Sequence, residues 1–410
     1  MTAREDARAA ALAGELGAQV GRMKGAGPKL IQLLSMIAFD PAGARPPGAL
    51  PDAAAAVPFD RVRKVIEQDL QARVRDLFDD IDEEPFALAS LGQVHRATTA
   101  DGDEVAVKVQ HPGVAEAAEA DLRGLGLVAP IIKRLAPALD AHGILAELRE
   151  RAAEELDYEF EAENQRRIER LARRDPDVRI PRVHTALSGR RVLVTDYVEG
   201  RRGGDLTEAE RDRTGEIAFR FYLGLAWREG IVAADPHADN CLLCPNGRVC
   251  LLDFGLMREL DADYIDGELD VMRALADGDS AGVHAGLDHL GYLPDPTAVE
   301  PDAVTEFLTT AGAWLLVPGF RRLDPEQVAE LLEIGYPPRS PFFPLIRRLA
   351  LPPHTLLLRR LEVQLAALLG DLRAGADWAA IAAELHSERP HAAALGRKEG
   401  TQERAGSRRA

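Results

Sequence analysis

Four short stretches of the chain carry side chains able to grip phosphate and a divalent cation. Lys108 ends the run Val105-Ala-Val-Lys, where alternation along a strand buries one face through Val105, Val107 and Val109 and turns an ammonium toward a cleft. Glu161 sits in a helical stretch and offers a carboxylate to hold that ammonium. Asp235-Pro-His-Ala-Asp-Asn240 places an Asn five residues after an Asp, a spacing that can set one group beside an attacking hydroxyl and the other on Mg2+. Asp253-Phe-Gly255 follows 13 residues after Asn240: a metal-binding carboxylate at a strand end, with Gly to permit the turn. Each stretch alone has a plainer explanation, such as a surface lysine on an edge strand or an ordinary polar loop. Their joint order is what points to chemistry. His237, between the two polar anchors, titrates near neutrality but reads as a brace for the loop. Asp239 fits either a supporting partner or a solvated loop residue.

The elements that must position these groups are legible. Gln93–Thr99 and Glu104–Gln110 alternate apolar and polar residues around Ala100-Asp-Gly-Asp103, which is a β-hairpin with suitable turn chemistry. A second hairpin, Cys241–Cys244 with Arg248–Leu252, turns at Asn246-Gly247. Residues 179–184 and 191–198 read as strands, and 59–79, 114–139 and 143–172 as helices. From Leu206 the chain reads as mainly helical apart from the second hairpin, with Trp314, Trp378 and Leu-rich faces serving core or interface. The expected fold class is α+β: a two-lobe, protein-kinase-like fold with a small mixed lobe at 59–200 and a large helical lobe at 201–389. A helical extension over 1–40, a Pro/Gly/Ala-rich linker over 41–58 and a disordered tail over 390–410 complete it.

Bulk properties narrow the function. Asp and Glu number 67 against 50 Lys and Arg, a formal charge of −17, and a general nucleic-acid binder needs a basic face. Three cysteines, Cys241, Cys244 and Cys250, surround one hairpin without a matching second pair for a metal, so they read as small buried apolar residues of a reduced compartment. The N-terminus lacks the apolar core of a signal peptide, and no stretch reaches the roughly 18 apolar residues of a membrane span. A cytoplasmic protein, at most peripheral to the inner membrane, is expected.

A lysine on a strand, a helix carboxylate, an Asp with Asn five residues on, and a later Asp-Phe-Gly are the parts that protein kinases use in this order. ATP with Mg2+ is therefore the expected cofactor pair. Three departures matter. Pro85-Phe-Ala-Leu-Ala-Ser-Leu-Gly-Gln-Val-His95 replaces a Gly-x-Gly-x-x-Gly loop, and alanine cannot let phosphate approach the backbone as closely as glycine does. Ala233-Ala234 stand where His-Arg would precede the catalytic Asp, and no Ala-Pro-Glu follows Asp253, so a phosphorylation-controlled activation segment is not expected. No Gly-x-x-x-x-Gly-Lys-Ser/Thr loop occurs, which excludes a Walker-type NTPase.

With these residues the chain resembles the UbiB family of atypical kinase-like proteins, the aarF-domain kinases. The match lies in Ala87-Leu-Ala-Ser-Leu-Gly-Gln-Val-His95, like the family's alanine-rich loop, in Val105-Ala-Val-Lys-Val-Gln-His-Pro-Gly-Val114, in Glu155-Leu-Asp-Tyr-Glu-Phe-Glu-Ala162 and in Ala234-Asp-Pro-His-Ala-Asp-Asn240. The resemblance implies that Lys108 pairs with Glu161 on the helix that also carries Glu155 and Asp157. It makes Asp235 the catalytic-loop Asp and gives Mg2+ to Asn240 and Asp253. It also assigns nucleotide contacts to Ala87, Ala89, Ser90, Asp196 and Val198. It further implies an N-terminal helix roofing the cleft, with Lys29 and Gln32 as counterparts of the family's Lys-x-Gly-Gln and Lys29 reaching Glu155 or Asp157. Ile31 stands where the family has Gly and adds a β-branched side chain at the closest approach. The implied activity is that of an ATP-dependent kinase or ATPase. It would support isoprenoid quinone or lipid biosynthesis, with a lipid or quinone precursor and a biosynthetic protein complex as partners. A small-molecule phosphotransferase like the aminoglycoside and choline kinases, or a catalytically weak nucleotide-binding scaffold, are the alternatives.

Overall fold

In the computed structural model the described residues are 56–89, 91–124, 129–335 and 340–386. The expected helix with Lys29, Ile31 and Gln32, Ser90 of the alanine-rich loop, and the tail from Pro390 lie outside them.

Apolar spacing gives the helix Phe59–Leu70 (α1) a buried stripe of Val62, Val65 and Ile66. It ends at Gln71, whose φ of 52° carries the chain out of the helix. The helix expected across 59–79 is therefore cut short. After one turn at Val74–Leu77 the chain becomes a strand, Phe78–Ile81 (β1). Val74, Leu77 and Phe78 still meet the core that Val62 and Ile66 line, so apolar spacing runs on through a break only the backbone reveals.

Past β1 come Ala87–Leu88 (β2), Gly92–Thr99 (β3), Glu104–Gln110 (β4), Val178–Arg179 (β5) and Val192–Asp196 (β6). The small lobe's five-stranded sheet has the order β1-β3-β4-β6 with β2 added on β3, and every pairing is antiparallel. The β3–β4 hairpin has the expected residues in register, Val94 opposite Lys108 and His95 opposite Val107, and Gly102 takes the positive φ of its turn. On central β4, Val105, Val107 and Val109 are fully buried against α1, which leaves Lys108 on the opposite face.

Within 114–139 the described segments Val114–Gly124 and Ala129–Leu135 are helical. Residues 143–172 differ from expectation and divide into Ala141–Glu155 (α2) and Tyr158–Ala172 (α3). This break has a local cause. Asp157 accepts the Glu159 N–H at 3.0 Å as the N-cap of α3, and a cap residue cannot also continue the preceding helix. Glu155 and Asp157 thus flank a break and do not share a helix with Glu161.

The large lobe is built on Glu208–Glu229 (α4), started by a Thr207/Glu210 capping box and stopped at Gly230 with φ 66°. Next come Ile231–Ala233 (β7), Cys241–Leu243 (β8), Val249–Leu251 (β9) and Met257–Glu259 (β10). β8 pairs with β9, β5 joins β9 in parallel, and β7 pairs with β10. The β8–β9 hairpin was expected. The β7–β10 pair was not, because three-residue strands leave too little alternation to read. Helices, among them the Leu-rich Leu356–Leu372 (α5), surround these strands, and the largest core lies here, around Phe219, Tyr222, Trp378 and the α5 leucines. All three cysteines are buried and free, and burial pushes the Cys241 thiol up to about 12. Among the described residues no helix is long and apolar enough to cross a membrane.

Candidate functional site

The Lys108 ammonium meets both oxygens of Glu161, at 2.6 and 2.8 Å, and stands 3.7 Å from Asp253 Oδ2. Tyr158, one turn before Glu161, puts its ring face 4.9 Å from the same nitrogen. Glu161 is 5% exposed. A carboxylate this deep stays charged comfortably only beside a cation. Helix α3 does more than hold Lys108, since Asn164 Nδ2 donates to the Phe254 carbonyl at 3.0 Å. One helix therefore fixes the lysine and the Asp-Phe-Gly turn together.

That turn is unusual in its backbone. Asp253 has φ 64°, a left-handed conformation that non-glycine residues rarely adopt. Its Oδ1 accepts the Gly255 N–H at 3.1 Å, a local bond of the kind that lets Asp occupy this region. The conformation aims the carboxylate at Lys108. A Cβ on Gly255 would lie 3.4 Å from Asp253 Oδ1 and 3.5 Å from Glu161 Oε2, so the glycine keeps the space between the two carboxylates clear.

Asn240 reaches the same place through the β8–β9 ladder. Its carbonyl accepts the Leu252 N–H at 2.9 Å, one residue before Asp253. Its Nδ2 is buried with no hydrogen-bond partner among the described residues, so one end of this amide has its polar capacity unspent. An Asp carboxylate and an Asn amide at one hairpin end form an oxygen donor pair that suits Mg2+, which takes few protein ligands and completes its shell with water and phosphate. Among the described residues there is no cluster of three or more His, Cys, Asp or Glu that could hold a metal by itself.

The remaining predicted contacts divide. Val198 is buried against Leu242, Cys244, Cys250 and Leu252, an apolar floor on the β8–β9 hairpin that leads to Asp253. Asp196 directs its carboxylate elsewhere, to His184 Nε2 at 2.9 Å and Arg182 Nε at 3.4 Å. Ala87 lies on β2, and Ala89 exchanges backbone bonds with Gly92 at 2.8 and 3.4 Å, so the alanine-rich loop is a tight turn capping the β2–β3 pair. Gly92 has no room to change, because a Cβ there would sit 2.1 Å from the Val109 carbonyl oxygen. The assigned contact of Lys29 with Glu155 or Asp157 falls outside the described residues.

Asp235 follows β7 and is 6% exposed. Its Oδ1 accepts Arg360 Nη2 at 2.5 Å and Gln364 Nε2 at 3.3 Å, both from α5. Sequence reasoning missed these two residues. The signal was an Arg and a Gln four apart inside a helix whose other buried residues are leucine, alanine and glycine. Farther along α5, Asp371 stands near Asp239 and His237; burial and the Asp239 charge push its carboxyl up to about 6, and His237 opposes them. After Gly255 the chain runs directly into β10 and by Ala262 into the next helix. β10 is clamped by ion pairs from Arg258 to Glu147 of α2 and from Glu259 to Arg167 of α3, and Arg151 donates to the Met257 carbonyl at 3.3 Å.

The family model for the ABC1 atypical kinase-like domain matches residues 49–286. AarF domain-containing protein kinase 1 of Xenopus laevis is 31% identical over 248 residues, 58% of this chain and 48% of that one. The mitochondrial atypical kinase COQ8B of Danio rerio is 33% identical over 242 residues, 58% of this chain and 39% of that one. The chain thus spans less than half the length of these relatives. Rv3197 of Mycobacterium tuberculosis, solved in complex with erythromycin, superposes with a TM-score of 0.65 over 94% of this chain and 91% of that one, and at 24% identity shares the fold. The lysine, carboxylates and hairpin that meet in one place are therefore found in a chain that belongs to the UbiB, or ABC1, family of atypical kinase-like proteins.

Proposed function

We propose that this protein binds ATP with Mg2+ and acts as an atypical kinase or ATPase. The observation that carries this is the Lys108 ammonium held between Glu161 and Asp253. Lys108 would grip the α- and β-phosphates, and Glu161 would keep the ammonium in place while they arrive. Asn240 and Asp253 would hold the metal, which when bound neutralises charge on the transferring phosphoryl group. The apolar floor of Val198, Leu242 and Leu252 would take the base, and the Ala87–Gly92 turn would cover the phosphates from a greater distance than a glycine loop does. Asp235 would orient the acceptor hydroxyl or water. The 1–40 extension, with Lys29 and Gln32, is assigned to roofing the cleft on resemblance to the family.

Protein phosphorylation suits this site poorly, because the short Gly255–Asp261 passage leaves no segment on which a peptide could be laid. The family resemblance favours a role in isoprenoid quinone or lipid biosynthesis, in contact with a membrane surface. Thermal unfolding with ATP and Mg2+ tests the nucleotide site: at a hundredfold excess over Kd, stabilisation of about 2.7 kcal/mol is expected in the wild type and none in Asp253→Asn. No stabilisation of the wild type would remove the proposal. Phosphate release without added acceptor, increased by vesicles or a quinone-precursor mimic, tests the lipid role.

A second possibility, small-molecule phosphotransfer, is favoured by the acidic pair Asp239 and Asp371 beside the Asp235 loop, which would suit a cationic acceptor. Consumption of ATP strictly dependent on a small amine or hydroxyl acceptor would select it.

A further inference from the structure

We infer that Arg360 and Gln364 are positioning residues that set the Asp235 carboxylate for its work at the acceptor, an inference that rests on the role proposed above for Asp235. Arg360 is 2% exposed and Gln364 3% exposed, on a helix whose other buried positions are leucine, alanine and glycine. A buried guanidinium is a poor way to stabilise a core, since apolar residues of similar volume usually do as well or better. Its presence calls for another explanation, and its contact supplies one. Arg360 Nη2 and Gln364 Nε2 both donate to a single oxygen, Asp235 Oδ1. Two donors from successive turns of one rigid helix fix the rotation of a carboxyl group that a single bond would leave loose.

The two residues ahead of Asp235 offer it no side-chain donor. Where a protein kinase has His-Arg ahead of the Asp, this chain has Ala233-Ala234, both fully or almost fully buried and unable to donate from their side chains. The backbone there is secured, with Ala234 N–H bonding the Leu256 carbonyl at 2.9 Å. The side chain of Asp235 is secured instead from α5, 125 residues later in sequence. The same helix brings Asp371 toward Asp239 and His237, so one stripe of α5, at 360, 364 and 371, follows the loop.

The test compares wild type with Gln364→Leu, Arg360→Lys and Arg360→Met, reading phosphate release from MgATP, the MgATP Kd and the melting temperature. Arg360→Met strands a buried carboxylate and can unfold the lobe. The two milder variants keep the test decisive. In folded Gln364→Leu, kcat falls about tenfold while Kd stays within twofold, because general acid–base placement carries about 100- to 10,000-fold and only part of it is lost. Arg360→Lys retains more turnover than Arg360→Met, as the point charge survives and the planar fork does not. Unchanged kcat in both folded mild variants overturns the inference. So does a fall in kcat that is matched by weaker MgATP binding and a lower melting temperature, since that is what general loosening gives. A wild type that neither binds nor turns over MgATP overturns the proposed function itself, a result distinct from either of these.

Discussion

The Lys108 ammonium lies between two unequal carboxylates, bonded to Glu161 Oε1 at 2.6 Å and approached by Asp253 Oδ2 at 3.7 Å. Glu161 belongs to a rigid helix, whereas Asp253 belongs to a turn. The first is built to hold the lysine, and the second can be drawn away by a cation. Glu161→Gln should therefore weaken MgATP binding about tenfold or more, because the lysine is left to collapse onto Asp253 and occupy the carboxylate proposed to hold the metal. Isothermal titration checks this, and an unchanged Kd would count against the assigned division of labour. The stability cost should be about 3 kcal/mol, as for breaking one side of a buried pair.

Asp253 separates backbone from charge. Asn tolerates a left-handed φ nearly as well as Asp, whereas Ala does not. Asp253→Asn should fold with stability within about 0.5 kcal/mol of wild type yet lose Mg2+-dependent nucleotide binding. Asp253→Ala should lose binding and also about 1–2 kcal/mol of stability. Equal melting temperatures for the two variants would show that the φ of 64° carries no strain.

Gly92 tests the covering turn. A methyl group 2.1 Å from the Val109 carbonyl oxygen must push β3 from β4 at the end of the ladder where Gly92 faces Gln110, two residues from Lys108. Gly92→Ala should lower stability by about 2 kcal/mol or more, in the range of overpacked cores, and weaken nucleotide binding with it. Chemical denaturation and MgATP titration report the two effects.

His386 supplies a pH dependence. Burial, with a smaller contribution from the Arg273 charge, lowers its pKa from 6.5 to about 4. The unfolded chain then takes up a proton that the folded chain refuses, so stability falls as pH drops from about 6.5 toward 4, by at most about 3 kcal/mol. His386→Phe should remove that part of the acid-side slope, measured as unfolding free energy at pH 7 and pH 4.5. It should also keep the edge contact with Trp227, whose ring centre lies 5.4 Å away.

Local patterns were readable where they are short and self-contained. Alternation around Ala100–Asp103 and around Asn246-Gly247 specified both hairpins, because strand period and turn chemistry act over a few residues. Lys108 and Asp253 could be placed from that alone. The break between α2 and α3 was harder to see, since Asp157 fits a helix surface as readily as a cap, and the bond to Glu159 decides between them. The left-handed Asp253 was invisible for a similar reason: nothing in Leu-Asp-Phe-Gly states a φ.

The sequence by itself determined which chemical groups exist, in what order, and on which strand or turn each one lies, because those depend on neighbours a few positions away. Only the tertiary structure decided that Glu161 faces Lys108 from a helix begun at Asp157, and that Arg360 and Gln364 close on Asp235 from a helix 125 residues distant. Such meetings follow from how whole elements pack into a shared core, and no local spacing encodes them.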